Sequence, residues 1–435
     1  MKPISFLKSI SLSILFSGSL IAQELPKPQE TPDFNFISTD GLSELKGHTS
    51  RPIPNQYIII LNSTTGIKTA LQAFEQVSFS TRDEQVKTGL EVERIAQNSI
   101  IAIAQKLGIS QSSILGIYSG VNLGFFATIP DDAAKKLIAN IKQFPEVSSI
   151  TQDQTVARAG ELIPSKTPSL LMRAQTVPWG VAFTGWTNMP NQVYWAWILD
   201  TGIDLQHQDL NVLGSAPFAK SFIAGQTVQD GHGHGTHVAG TVAAKNNTFG
   251  VVGVAAGARV VPVKVLSNSG SGSWGGVLAG VNHVATYGIP GDVVNMSLGG
   301  TGTYAALETA IATLAASRKI FFSIAAGNSN MLASGFTPAR TNGVNVYTIS
   351  AMDDRCNIAG FSNYGNPPVD FAAPGVNILS TYKGNAYATM SGTSMAAPHV
   401  AGILLLNSGI VRNGGCCAGR LCTDKDATKD LVAKR

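Results

Sequence analysis

The segment YWAWILDTGID, residues 194–204, sets six apolar residues, Tyr194 to Leu199, directly against an aspartate, Asp200. Nothing in the run alternates between apolar and polar, so a strand here has both faces buried, as in a parallel sheet covered by helices on its two sides. Runs of the same kind recur at ARVVPVKVL (258–266), DVVNMSL (292–298), KIFFSIAA (319–326) and VNVYTISAM (344–352). Helical stretches stand between them at THVAGTVAAK (236–245), WGGVLAGVNHVATYG (274–288) and TYAALETAIATLAAS (303–317). The alternation predicts an α/β fold built on a parallel sheet. In such a sheet reactive groups gather at the carboxyl ends of the strands. Asp200 falls at such an end, where a buried carboxylate is costly without a partner.

A chain of 435 residues is too long for one ordinary domain and predicts two folded units. Ahead of the α/β part, QYIIILN (56–62), EVERIAQNSIIAIAQKLG (91–108), SILGIYSG (113–120), LGFFATI (123–129), DDAAKKLIANIKQF (131–144) and EVSSITQ (146–152) read β-α-β-β-α-β. That order is a small antiparallel sheet backed by two helices, a ferredoxin-like α+β unit. At the very start, Lys2 and Lys8 lead into a short apolar stretch that ends in small residues near Ala22, the layout of a secretory signal peptide. The expected division is 1–22 signal peptide, 23–51 flexible segment, 52–158 the small domain, 159–173 an aperiodic linker and 174–435 the α/β domain. The protein is therefore expected outside the cell, and no later run is apolar enough for a stable membrane anchor.

Charged residues make up 13% and apolar ones 44%, with a net charge of +4, which fits a packed globular protein. No basic stripe with interleaved aromatics appears, so nucleic acid is not an expected partner. Cys356, Cys416, Cys417 and Cys422 can pair in an exported protein, although spacing does not fix how.

Three polar residues stand where structure alone explains them poorly. Asp200 ends a buried strand, His234 sits among glycines in DGHGHGTHVAG where a helix begins, and Ser394 opens the helix SMAAPHVAGILLLN. A serine hydroxyl is a weak nucleophile that needs an imidazole to take its proton, and the imidazole needs an acceptor on its other nitrogen. Asp200, His234 and Ser394 supply those roles, and a helix N-terminus favours developing negative charge at Ser394. Each residue has a plainer reading: Ser394 as a helix cap, Asp200 as a turn residue, His234 as a metal ligand with His232 and His237. Pro398 also argues for a helix that begins later than Ser394.

ILDTGID around Asp200, HGTHVAGT from His234, NMSLGG at 295–300, AAGN ending at Asn328 and GTSMAAPHVAG around Ser394 resemble the signature segments of the subtilisin-like serine proteases, including the proteinase K type. The order Asp, His, Ser is also that family's. The resemblance implies a secreted serine endopeptidase, a monomer acting through an acyl-enzyme on Ser394. It further implies that the Asn328 side chain and the Ser394 backbone amide form an oxyanion hole, where a donor is worth about 3 kcal/mol. Gly270, Ser271 and Gly272 on one side and Ser297, Leu298 and Gly299 on the other are expected to flank an extended polypeptide as its neighbouring strands. Trp274 is expected to shape a more distant apolar subsite, and large apolar or aromatic side chains are expected before the scissile bond.

The same resemblance implies a structural, non-catalytic calcium ion. Gln175, Asp209 and Asn247 supply side-chain oxygens and Lys245, Phe249 and Val251 supply carbonyls, a set suited to a hard cation. It also implies that the small domain is a propeptide that assists folding and inhibits the enzyme until cleaved, with the junction at Arg173–Ala174 or earlier, near Ala159. The alternatives are a catalytically silent binding protein on the same fold and a metal-dependent hydrolase using His232, His234 and His237. The family usually continues further past its serine helix than this chain does, so the tail is left without an assigned structure.

Overall fold

A computed structural model of the protein describes residues 49–62, 82–159, 174–191, 193–414, 422–423 and 429–435. The expected signal peptide, most of the segment 23–51, residues 160–173 of the linker, and Cys416 and Cys417 lie outside the described residues.

The N-terminal half has the predicted order: β1 (Pro52–Leu61), α1 (Arg82–Lys106), β2 (Ile114–Ser119), β3 (Leu123–Thr128), α2 (Asp131–Ala139) and β4 (Val147–Arg158). The strands pair in the antiparallel order β4-β1-β3-β2. Val92, Ala96, Ile100 and Ala104 recur at helical spacing on the buried face of α1, with Asp83 and Glu84 in its first turn and Lys106 in its last, complementing the helix dipole. The helix begins earlier than the apolar periodicity predicts. Its first turns hold Gln85 and Gly89, which are buried against the end of a helix in the other half: the Gln85 amide donates to the carbonyls of Thr286 and Gly288. Those contacts are tertiary and leave no apolar signal in the local sequence.

Beyond residue 174 the strands longer than two residues are β5 (Trp195–Asp200), β6 (Arg259–Lys264), β7 (Ser271–Ser273), β8 (Val293–Met296), β9 (Leu298–Thr301), β10 (Phe321–Ala325), β11 (Val346–Met352), β12 (Val369–Pro374), β13 (Ile378–Tyr382), β14 (Ala386–Met390) and β15 (Lys429–Lys434). The larger helices are α3 (His234–Ala243), α4 (Trp274–Tyr287), α5 (Ala305–Arg318) and α6 (Thr393–Leu406). Seven of these strands run parallel in the order β15-β12-β11-β10-β8-β5-β6, and four two-residue strands extend the same sheet to eleven. All six residues of β5 are buried, as its apolar run requires. Ala196 and Ile198 pack with α3 and α6, whereas Trp195, Trp197 and Leu199 pack with α4 and α5, so alternate side chains feed the cores on opposite faces. The chain runs from β5 to its neighbour β6 and then returns to the other side of β5 with β8, which opens a crevice at the carboxyl end of β5.

Helix α6 starts at Thr393 and runs through Pro398, contrary to the later start that the proline suggests. Proline lacks the N–H that would bond the carbonyl four residues back, that of Ser394. The Ser297 hydroxyl donates to this carbonyl instead at 2.9 Å, so the gap in the helical ladder is filled from the neighbouring strand end. The tail, which carried no expectation, lays β15 parallel to β12 through Leu431 and Val432. Among the described residues no helix is long and apolar enough to cross a membrane.

The two halves meet through buried polar contacts. Asp153 of β4 accepts from the Gly275 N–H at the start of α4 (3.1 Å) and from the Gln56 amide (2.8 Å). Arg82 grips both oxygens of the buried Asp292 at 2.8 and 3.0 Å, and its guanidinium lies 3.4 Å over the ring of Trp195. Asp292 also accepts from the Trp195 N–H, the Trp197 indole and the Ile289 N–H, which hold the carboxylate in place. Replacing Arg82 by Ala removes the cation from this carboxylate but leaves those three donors. We expect a loss of about 2 kcal/mol in the uncut chain, seen as a lower urea midpoint by tryptophan fluorescence. An unchanged midpoint would mean that the pair contributes no net stability.

Candidate active site

Two elements bring Asp200 and His234 together. Asp200 is the last residue of β5 and His234 the first of α3, and both are buried. The Asp200 Oδ1 lies 2.8 Å from His234 Nδ1 and also accepts the Thr201 N–H at 2.7 Å. The approach depends on Gly235: a Cβ there would lie 2.1 Å from the Gly202 carbonyl oxygen and 3.2 Å from the Asp200 Cβ. The loop before α3 is gathered by Asp230, whose Oδ1 accepts the N–H groups of His232 and Gly233 and whose Oδ2 accepts the N–H and hydroxyl of Thr236. Asp230 was not among the predicted residues. An aspartate three residues before the loop's last glycine, Gly233, is the local signal that could have found it.

Ser394 lies in the first turn of α6, and its hydroxyl is 3.1 Å from the carbonyl oxygen of Ala159 and 3.2 Å from that of Ser297. The Asn328 amide donates to the same Ala159 oxygen at 2.5 Å, while its own oxygen accepts the N–H and hydroxyl of Thr393. Asn328 is thereby fixed to the start of α6 with its donor turned toward the carbonyl. Ala159 follows directly on β4, so the end of the N-terminal half occupies the crevice.

It does so as a strand. Thr155, Val156 and Ala157 pair antiparallel with Ser273, Gly272 and Ser271, while Arg158 and Ala157 pair with Leu298 and Gly299 on the other side. The Arg158 N–H donates to the Gly270 carbonyl at 3.2 Å and the Ala159 N–H to the Ser297 carbonyl at 3.1 Å. The six predicted flanking residues thus line the chain's own segment 155–159. Trp274 shares a core cluster with Val156 and Leu266 and stacks on Tyr304 at 6.1 Å. The residue at Ser394 is Ala159, small rather than the large apolar type expected in substrates, and Arg173 lies outside the described residues.

Residues 197–408 match the model of the Subtilase family. The M-protease of Shouchella clausii is 37% identical over 333 residues, which are 74% of this chain and 79% of that protein.

The chain belongs to the subtilase family. Subtilisin-like protease 5 of Arthroderma benhamiae is 33% identical over 381 residues, 84% of this chain and 85% of that one. Subtilisin Savinase of Lederbergia lenta is 44% identical over 242 residues, covering 54% of this chain and 84% of that protein. This subtilase is a serine endopeptidase.

The remaining predicted residues of the subtilase converge at a second place. The Gln175 amide nitrogen reaches the Lys245 carbonyl at 2.8 Å, the Asn247 side-chain oxygen at 3.4 Å and the Val251 carbonyl at 3.4 Å. Asn247 donates to Asp209 Oδ1 at 2.7 Å, the Val251 N–H to Asp209 Oδ2 at 2.9 Å, and the Phe249 N–H to the Asn247 oxygen at 2.9 Å. Burial pushes the Asp209 carboxyl up to about 6, against these hydrogen bonds that favour its charge. Three oxygens that converge on one amide beside a buried carboxyl are a donor set suited to a hard cation.

The histidines divide by environment. The His237 Nε2 faces the carbonyls of Ile378 and Ala388 at 3.0 and 3.1 Å, and burial lowers its pKa to about 3. Its ring is bound into the β13–β14 hairpin and does not join His232 and His234 as a ligand trio. Lys264 was also missed by sequence reasoning. It is buried at the end of β6 with its ammonium donating to the Thr201 carbonyl and to Asn268, and burial lowers its pKa. An apolar run with a single lysine gave no reason to place a cation beneath Asp200.

The Gly235→Ala variant should push α3 away from β5 and lengthen the Asp200–His234 contact. A displacement on the order of 1 Å lowers kcat by about 100-fold, measured on a short peptide substrate. Retention of full activity would show that the close approach is dispensable.

Proposed function

We propose that this subtilase is made as a self-inhibited precursor of a secreted endopeptidase, and that Ser394 makes the first cut in its own chain, between Ala159 and Gly160. The observation that carries the reading is the Ala159 carbonyl oxygen, which receives both the Asn328 amide at 2.5 Å and the Ser394 hydroxyl at 3.1 Å. In the reaction the Ser394 oxygen attacks the carbonyl carbon while the His234 imidazole takes its proton. Asp200, bonded to His234 Nδ1, keeps the accepting nitrogen on the other side of the ring and stabilises the imidazolium. The Asn328 donor and the amides at the start of α6 stabilise the oxyanion of the tetrahedral intermediate. His234 then returns the proton to the leaving amine, and water releases the acyl group by the same route.

Substrates bind as Thr155–Ala159 do, as an extended polypeptide between β7 and β9, with Trp274 near the fourth residue before the cut. After the first cut the same segment remains as a bound product, held by its two ladders and by the contacts of α1, and so inhibits the enzyme. A later cut at Arg173–Ala174 completes maturation. The leader at residues 1–22 directs the precursor outside the cell.

Gln175, Asp209, Lys245, Asn247, Phe249 and Val251 hold calcium in this reading. When bound, the ion would add positive charge beside the buried Asp209 and tie residues 245–251 to the start of the mature chain. It takes no part in the chemistry.

In the Ser394→Ala protein no peptide hydrolysis is expected and the chain stays intact, whereas the native protein labels with a fluorophosphonate and yields a new N-terminus at Gly160 or beyond. Cutting of the Ser394→Ala chain at Ala159 would rule out self-processing. For the metal, about 1 mM calcium should raise the thermal midpoint of the native protein, and Asp209→Asn should remove most of that rise. An equal rise in both proteins would place the ion elsewhere.

A further inference from the structure

We propose that His232 and Gly270 form an arginine-accepting subsite for the residue second before the scissile bond, so that the enzyme favours chains with arginine at that position. The proposal rests on the peptidase reading above and names part of its substrate class. Its occupant here is Arg158, whose guanidinium donates to His232 Nε2 at 2.9 Å and lies 3.5 Å from the Ser269 carbonyl.

The guanidinium rests in the space that a side chain on residue 270 would take. A Cβ on Gly270 would lie 2.1 Å from the Arg158 terminal nitrogen and 3.3 Å from His232 Nε2, and Gly270 has a φ of +80°, a conformation that suits glycine. His232 is held by the catalytic loop itself. Its N–H donates to Asp230 at 2.9 Å, its carbonyl accepts from the Tyr382 hydroxyl at 3.1 Å, and its ring centre is 6.3 Å from that of His234.

The ring is an acceptor rather than a competing cation. Burial, then the charges of Arg158 and His234, lower the His232 pKa to about 3, with Asp200 opposing and Lys383 adding to the effect. A guanidinium has no acceptor, so the lone pair of the neutral ring sits on Nε2 and the proton on Nδ1. The 3.3 Å contact between the His234 N–H and His232 Nδ1 is then given up as a hydrogen bond. A charge-assisted bond in this partly buried position favours arginine over an uncharged chain of similar length by about tenfold.

The test uses enzyme obtained by expressing the full chain and letting it mature. Two peptides are compared by kcat/KM, one ending Val-Ala-Arg-Ala before the reporter bond, as at 156–159, the other carrying norleucine in place of arginine. The native enzyme should prefer the arginine peptide by about tenfold, and His232→Ala should bring the ratio near one. Each ratio is taken within one protein, so a general loss of activity in the variant cancels. Equal rates on the two peptides in the native enzyme, which needs no variant, would overturn the subsite, as would a preference that survives in His232→Ala. Cleavage of neither peptide, with no fluorophosphonate labelling, would instead be the failure of the peptidase reading, and the subsite would fall with it.

Discussion

Strand β4 belongs to two ladders at once. Its first part pairs with β1 inside the small antiparallel sheet, and its last residues lie between β7 and β9 of the large domain. Main-chain hydrogen bonds are directional and fix register, so the position of Ala159 is set by pairs made several residues earlier. A slip of one residue would exchange the faces of Val156 and Ala157 and carry a different carbonyl to Ser394. The apolar Val156 in the cluster with Trp274 and Leu266 makes the present register the one that buries the right face. The contacts of α1, with Arg82 on Asp292 and Asp153 on Gly275, hold the small sheet so that β4 can reach the crevice.

The crevice is built from buried polar groups, each costly alone and each given a partner. Asp200 meets His234, Asp230 collects the N–H groups of the loop, Lys264 lies beneath on the Thr201 carbonyl, and Ser297 fills the gap left by Pro398. Such networks fix side chains at small distances from one another, which acyl transfer requires. Three further histidines lie away from this network. His237, His283 and His399 are buried on backbone carbonyls with lowered pKa values, neutral packing groups rather than acids or bases.

Much of this was legible in the chain. The apolar run before Asp200 predicted a strand buried on both faces, and it is one, because side chains alternating across a covered sheet must all be apolar. The order of strands and helices in the small unit was read correctly for the same reason of periodicity. The resemblance around Asp200, His234, Asn328 and Ser394 named residues that the fold brings into two contacts, Asp200 on His234 and Asn328 with Ser394 on the Ala159 carbonyl. What the sequence alone could not decide was set by long-range pairing. The start of α1 depends on contacts with residues 286–288, the early start of α6 on a hydroxyl from residue 297, and the place of the Ala159 carbonyl at Ser394 on the register of β4. The guanidinium of Arg158 beside His232 is of the same kind. Local periodicity records which face of an element is buried, but not which distant donor, carbonyl or side chain lies against it, and only the closed tertiary structure decides that.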